Sequence, residues 1–255
     1  MGIISHWELI KHLSMREIKA RYKQSFFGLL WILLNPFFQM LIMSFVFSQV
    51  IRIENLSVPY PIYLFVGLLP WLFFSGSLSS TISSLVDNSS LIKKIYFPRE
   101  VLILSTLIAK LVDFFIASII FIGMMAYYQI DLSWYMLLFF PIMIVQILFT
   151  MGLSLILSVL NLLYRDVQFV FQLVLQLWFY LTPIIYSVEF FPPELRWIFS
   201  INPMSVFINA YRKVLLGGDV FNYTSISIGL ILSIVLFVVG YLLFKRLEGV
   251  VADIV

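Results

Sequence analysis

Asn88-Ser-Ser-Leu-Ile-Lys-Lys-Ile-Tyr-Phe-Pro-Arg-Glu100 is a short charged stretch set between two long apolar runs, 62–86 and 101–128. Lys93, Lys94 and Arg99 place three positive charges within seven residues. Positive charge in short loops is retained on the cytoplasmic side of a membrane, so the stretch faces the cytosol and its neighbours are adjacent spans. Ser89 or Ser90 is placed to cap a short helix through Ile95, and Pro98 suits the first turn of the next helix, with Arg99 and Glu100 at its start. The reading is a small amphipathic helix lying across the base of two spans. An ordinary topology-setting loop needs only the charges. Tyr96 and Phe97 add two large rings, which point instead to a docking surface.

Composition sets the class. Of 255 residues, 62% are apolar and 11% charged, where a soluble domain carries about 25% charge. A hydrocarbon core of about 30 Å takes about 20 apolar residues per helix, which leaves room for six spans and one domain, 1–255. The apolar runs are continuous rather than alternating, which selects helices over a barrel. The first run begins near Phe26, behind a basic stretch, and is too long for the core of a signal peptide. It is expected to be a retained span.

Taken in order, residues 1–25 form an N-terminal amphipathic interface helix. Ser5 and Glu8 have capping-box spacing, and Trp7, Ile10, Leu13 and Ile18 gather on one side. Glu8, Lys11, His12, Arg16, Lys19 and Lys23 gather on the other, suited to the cytosolic face of a membrane interface. Glu17 and Arg21, four apart on the apolar side, are spaced to pair with each other or with a partner. The first span, 28–50, contains Asn35-Pro36 and Gln39. The second, 62–86, carries Gly76, Ser80 and Ser84 as a small-residue ridge. The third, 101–128, carries Lys110 and Asp113 on one face, with Lys110 expected to snorkel to the cytosolic surface. The fourth spans 135–160, and the fifth runs from Gln168 to about Pro183. Leu195 to Ile201 and Met204 to Leu215 then read as helices too short to cross, a re-entrant hairpin on the outer side that Gly217-Gly218 ends. The sixth span is 225–244. Twelve of the sixteen lysines and arginines fall on the inner side; Arg52, Arg196, Arg212 and Lys213 fall outside, so both termini are cytoplasmic.

Several chemistries are excluded. No cysteine is present, and the two histidines, His6 and His12, lie on the solvated N-terminal helix. No glycine precedes a lysine, so there is no phosphate-cradling Gly-Lys-Ser/Thr loop. Nothing here hydrolyses a nucleotide, and the intramembrane charges do not form a proton-relay chain. Energy for uphill transport has to arrive from another chain.

Three stretches carry a resemblance that covers nearly the whole sequence. Arg16-Glu-Ile-Lys19-Ala-Arg21-Tyr22-Lys-Gln-Ser25 with Gly28, Trp31 and Pro36 resembles the start of permease subunits of ATP-binding-cassette exporters of the polysaccharide and polyol-phosphate class. Leu91 to Glu100 resembles that family's cytoplasmic coupling segment, and Asn202-Pro203-Met204 with Tyr211-Arg212 resembles its outer gate region. The resemblance implies a homodimeric channel in the cytoplasmic (inner) membrane, exporting a lipid-linked glycan such as an O-antigen or teichoic acid chain. It implies two ATPase subunits docked beneath, which hold the ATP and magnesium. No cofactor is expected on this chain, and no nucleic acid among its partners. The ATPase-coupling residues it implies are Arg16, Lys19, Arg21 and Tyr22 together with Lys93, Lys94, Tyr96, Phe97, Pro98, Arg99 and Glu100, within a coupling segment 88–100. The substrate path and gate, within an outer region 183–218, would use Trp178, Tyr180, Pro183, Tyr186, Phe190, Phe191, Asn202 and Pro203, because rings give sugars a flat apolar face plus a polar handle. The short outer loops favour the O-antigen branch. Two rivals stand beside it: a drug or small-lipid exporter of the same architecture, and a non-transporting scaffold of a glycan-synthesis complex.

Overall fold

The computed structural model describes residues 6–22, 26–50, 58–95, 97–217 and 223–254. Among them every regular element is helical. Ser5, Tyr96, Gly218, Arg52 and most of the expected first outer loop lie outside the described residues. Five stretches among the described residues are long and apolar enough to cross a bilayer: Gly28–Ser48, Tyr60–Asp87, Glu100–Tyr127, Trp134–Leu163 and Ile226–Glu248. These occupy the places of the first, second, third, fourth and sixth expected spans.

The expected fifth span is α7 (Val167–Leu181), which at 15 residues reaches only about 22 Å, short of the roughly 30 Å hydrocarbon core. Its end has a local cause. Pro183 disfavours a helical residue before it, and Thr182 is extended, with ψ 132°.

α1 (Trp7–Tyr22) lies against α5 (Glu100–Tyr127). Ile10 and Leu13 are buried as expected, but Trp7 is 56% exposed. Ser14 Oγ donates to Ile10 O at 2.9 Å and to Ser105 O at 3.0 Å, so one buried hydroxyl joins the two helices. α2 (Trp31–Phe45) follows a 3-10 turn at Gly28–Leu30, runs through Pro36, and ends in a π-helical turn at Val46–Val50. The Asn35 Oδ1 accepts from Gln39 Nε2 at 2.8 Å across that proline.

The core sits on α3 (Tyr60–Asp87) and α6 (Phe139–Leu163). Phe74 and Phe149 stack between them at 5.7 Å. Buried polar groups pin this centre: Gln146 Nε2 donates to Pro70 O at 2.9 Å, and its Oε1 accepts from Tyr211 OH at 2.9 Å. Asn161 Nδ2 donates to Ile82 O at 3.1 Å, and its Oδ1 accepts from Gln168 N at 3.0 Å, which fixes where α7 begins. α10 (Tyr223–Ile254) crosses α6 at two glycines. A Cβ on Gly152 would stand 2.7 Å from the Leu236 backbone, and one on Gly240 2.5 Å from Gly152 O. Only glycine lets the two backbones approach this closely.

Between α3 and α5, α4 (Ser89–Lys94) is the short helix expected at the base of two spans. Its details differ. Asn88 takes the cap position and no side chain caps the helix, so neither Ser89 nor Ser90 does so. Pro98 and Arg99 precede the next helix rather than lying in its first turn, because α5 starts at Glu100. After α7 come 3-10 turns at Val188–Phe190 and Pro193–Leu195, then α8 (Trp197–Ile201) and α9 (Pro203–Leu216), which Gly217 ends.

Candidate functional site

A non-helical stretch runs from Thr182 to Tyr186 beside α3 and α9. Its polar backbone has to be satisfied by protein if it lies at membrane depth. Seven successive carbonyls find donors. Tyr180 O accepts from Tyr186 OH at 2.6 Å, Leu181 O from Asn202 Nδ2 at 3.2 Å, and Thr182 O from Ile184 N at 2.7 Å. Pro183 O and Ile184 O each accept from the Arg212 guanidinium at 2.6 Å. Ile185 O accepts from Tyr60 OH at 2.8 Å and Tyr186 O from Tyr63 OH at 3.3 Å.

Arg212 was counted among the four charges on the outer side. It is 7% exposed, because its fork meets these carbonyls while Cζ lies 3.7 Å over the Tyr63 ring. Gly67 leaves the necessary room: a Cβ there would come within 2.9 Å of Arg212 Nη2. Asn202 caps α9 through Met204 N at 3.1 Å, accepts from Trp178 Nε1 at 2.8 Å, and donates to Thr182 Oγ1 at 2.9 Å. Pro203 is the first residue of α9, the position where a missing N–H costs nothing.

The expected path residues therefore separate. Trp178 is half-buried against Phe74 at 5.2 Å and is spent on Asn202. Tyr186 and Phe191 pack with buried Phe199, Phe191 at 4.9 Å from it, and burial pushes the Tyr186 phenol above the ordinary tyrosine range. Phe190 is exposed at 49%. Tyr180 is exposed and lines a groove of about 270 Å³ with Trp71, Ser75, Ser79, Gln172 and Gln176. Those glutamines and serines were missed in the sequence. The signal was available: Gln168, Gln172 and Gln176 recur every four residues along an otherwise apolar helix. Around them Phe169, Leu173 and Leu177 are exposed, and Leu175 is the one residue of α7 that is buried.

The residues expected to couple to an ATPase also divide. Glu100 is buried and pairs with Lys245 at 2.9 Å, and Lys245 also pairs with Glu248 at 2.9 Å. Arg99 donates to the Glu248 carbonyl through its guanidinium and to the Glu248 side chain through its backbone N–H at 3.4 Å. These two residues thus grip the far end of α10. Phe97 is buried and Pro98 half-buried. Lys93 and Lys94 on α4 are exposed, as are Arg16 and Lys19 on α1, and Arg16 donates to Asn88 Oδ1. Arg21 pairs with Asp113 on α5 rather than with Glu17.

The structure is thus a helical membrane bundle with a carbonyl-rich hairpin after α7 and exposed cations on α1 and α4. The family profile for the ABC-2 type transporter matches residues 8–216, and the chain belongs to that family. It is a multi-pass membrane protein. Among curated relatives it is 35% identical over 252 residues to the O-antigen export system permease protein RfbA of Klebsiella pneumoniae, covering 97% of this chain and 95% of the relative. The protein of the same description from Myxococcus xanthus is 35% identical over 209 residues, 81% and 79% of the two chains. The polysialic acid transport protein KpsM of Escherichia coli is 22% identical over 250 residues, 94% and 93%.

Proposed function

We propose that the chain is the channel-forming permease subunit of an inner-membrane exporter of lipid-linked, O-antigen-like polysaccharide, working as a homodimer above two separate ATPase subunits. One observation carries this reading: the groove between α3 and α7 exposes Gln172, Gln176 and Ser79 beside exposed Tyr180, with half-buried Ser75 and buried Trp71 lining it. Uncovered polar side chains on a membrane helix are costly against hydrocarbon and turn to protein or a water-filled path. Amides and hydroxyls beside aromatic rings suit sugar hydroxyls and sugar faces. A second copy facing α7 would close the groove into a channel. The relatives named for O-antigen export and polysialic acid transport support a glycan as cargo.

In this reading the exposed cations of α1 and α4, Arg16, Lys19, Lys93 and Lys94, form the ledge on which the ATPases dock. Arg99 and Glu100 tie that ledge to α10. ATP and magnesium stay in the partner. The test is reconstitution: vesicles holding this chain and its co-purifying ATPase, loaded with lipid-linked glycan, should move glycan only on ATP addition. The Gln172→Leu, Gln176→Leu double variant should move less while ATPase association is unchanged. ATPase stimulation by amphiphilic drugs instead of glycan would overturn the choice of cargo, and glycan movement without ATP would overturn the energy source.

A further inference from the structure

Lys110 lies ten residues into α5, about 15 Å from its start at ~1.5 Å per residue, and it does not snorkel away. Its stem lies over Gly76, with Nζ 3.8 Å from where a Cβ would stand there. The ridge glycine therefore receives a charged side chain rather than another backbone. Lys110 makes no ion pair with Asp113, because Asp113 is taken by Arg21. That pair is made through one nitrogen and one oxygen, leaving Arg21 Nη2 and Asp113 Oδ1 buried with no hydrogen-bond partner. All three residues line one cavity of about 270 Å³ between α1, α2, α3 and α5, with Trp31 and Asn35 exposed on its α2 side. The charges on its wall are Arg21, Lys110 and Asp113; Glu17, half-buried on α1, stands near enough to act on Lys110 through its charge.

We propose that this cavity binds a phosphate group, carried on the headgroup of a cytosolic-leaflet lipid. Lys110 is the anchor: its ammonium has no carboxylate partner among the described residues, and an uncompensated charge in a membrane segment calls for a counter-ion. Arg21 Nη2 supplies a second donor, and guanidinium and ammonium groups are the usual ligands of phosphate oxygens. The source is a lipid because the cavity opens beside a face of α2 that exposes Phe38, Leu41, Ile42 and Phe45, along which an acyl chain can lie. Trp31, 44% exposed, stands where an indole meets headgroups. The proposal does not depend on what the protein exports.

Delipidated full-length protein is titrated with dodecyl phosphate and bound ligand is counted by native mass spectrometry, with inorganic phosphate as competitor. The wild type should bind one dodecyl phosphate. Lys110→Gln should weaken it about ten- to hundred-fold, the loss of one hydrogen bond to a charged group. Lys110→Arg should retain it, which separates lost charge from lost fold. Asp113→Asn should bind at least as tightly, since it removes a negative charge from the wall. Failure of inorganic phosphate to displace the ligand assigns the lipid headgroup; displacement assigns the same phosphate chemistry to a free anion. Equal binding by wild type and Lys110→Gln overturns the proposal, as does an equal loss in the remote control Lys213→Gln.

Discussion

Replacing Arg212 by methionine tests whether the hairpin after α7 is held by the donors to its carbonyls. The guanidinium satisfies Pro183 O and Ile184 O at 2.6 Å each while 7% exposed. Removing it leaves two carbonyls without donors where water is excluded, at about 1–3 kcal/mol each, or about 2–6 kcal/mol together. Lysine should recover only part of this, because a single ammonium lacks the planar fork that reaches two acceptors at once. Gly67→Ala attacks the same contact from behind, since its Cβ would meet Arg212 Nη2 at 2.9 Å. The chain has no cysteine, so Ile185→Cys, at a position 6% exposed, reports local opening through its rate of maleimide labelling. A loss of about 2 kcal/mol should speed labelling roughly thirtyfold, because each 1.4 kcal/mol is tenfold in the open population. Arg212→Lys and Gly67→Ala should fall between parent and Arg212→Met. If Arg212→Met labels at the parental rate, the hairpin is held by packing alone and the reasoning fails.

Gly152→Val should force α6 and α10 apart and destabilise the protein by about 1–3 kcal/mol or more through overpacking, read as a lower melting temperature in detergent. An unchanged melting temperature would contradict the glycine crossing. Glu100→Lys and Lys245→Glu should each reduce surface glycan, and the double swap should restore part of what each loses. A double variant no better than the worse single would show that the ion pair does not join the coupling segment to α10. For topology, Ser90→Cys should react with an impermeant maleimide from the cytosolic side and Glu194→Cys from the outer side; reaction of both from one side refutes the orientation.

The long helices were legible because hydrocarbon imposes one rule on every residue of a span, and the apolar runs obey it over twenty or more positions. Contacts between distant segments were not. Arg212 beside Lys213 reads locally as a hydrophilic helix end, and its acceptors, Pro183 O and Ile184 O, are backbone groups that leave no mark on side-chain pattern. Arg21 had a correctly spaced partner in Glu17, yet the fold brings Asp113 closer from 92 residues away. Arg99 and Glu100 stood out as a charged pair at a helix start, but that α10 runs on to meet them is a matter of helix length beyond the apolar run that ends at Phe244. The glutamine stripe on α7 is readable at its spacing of four, but one amide every fourth residue does not interrupt an apolar run, so only the fold shows which face it lies on.

The unbroken row of satisfied carbonyls from Tyr180 to Tyr186 limits how an outer gate in this fold can work. Peeling the stretch from α9 and α3 would forfeit the five hydrogen bonds made by Asn202, Arg212, Tyr60 and Tyr63, at a net cost of about 1 kcal/mol each. That is comparable to the whole margin by which a domain stays folded. A passage that opens and recloses many times cannot spend that on every cycle. The end of α7, the hairpin, α9 and the start of α3 are instead bound into one plate, and the flex falls where the chain leaves that plate. Gly217 is such a place, standing at φ +77° with α9 behind it.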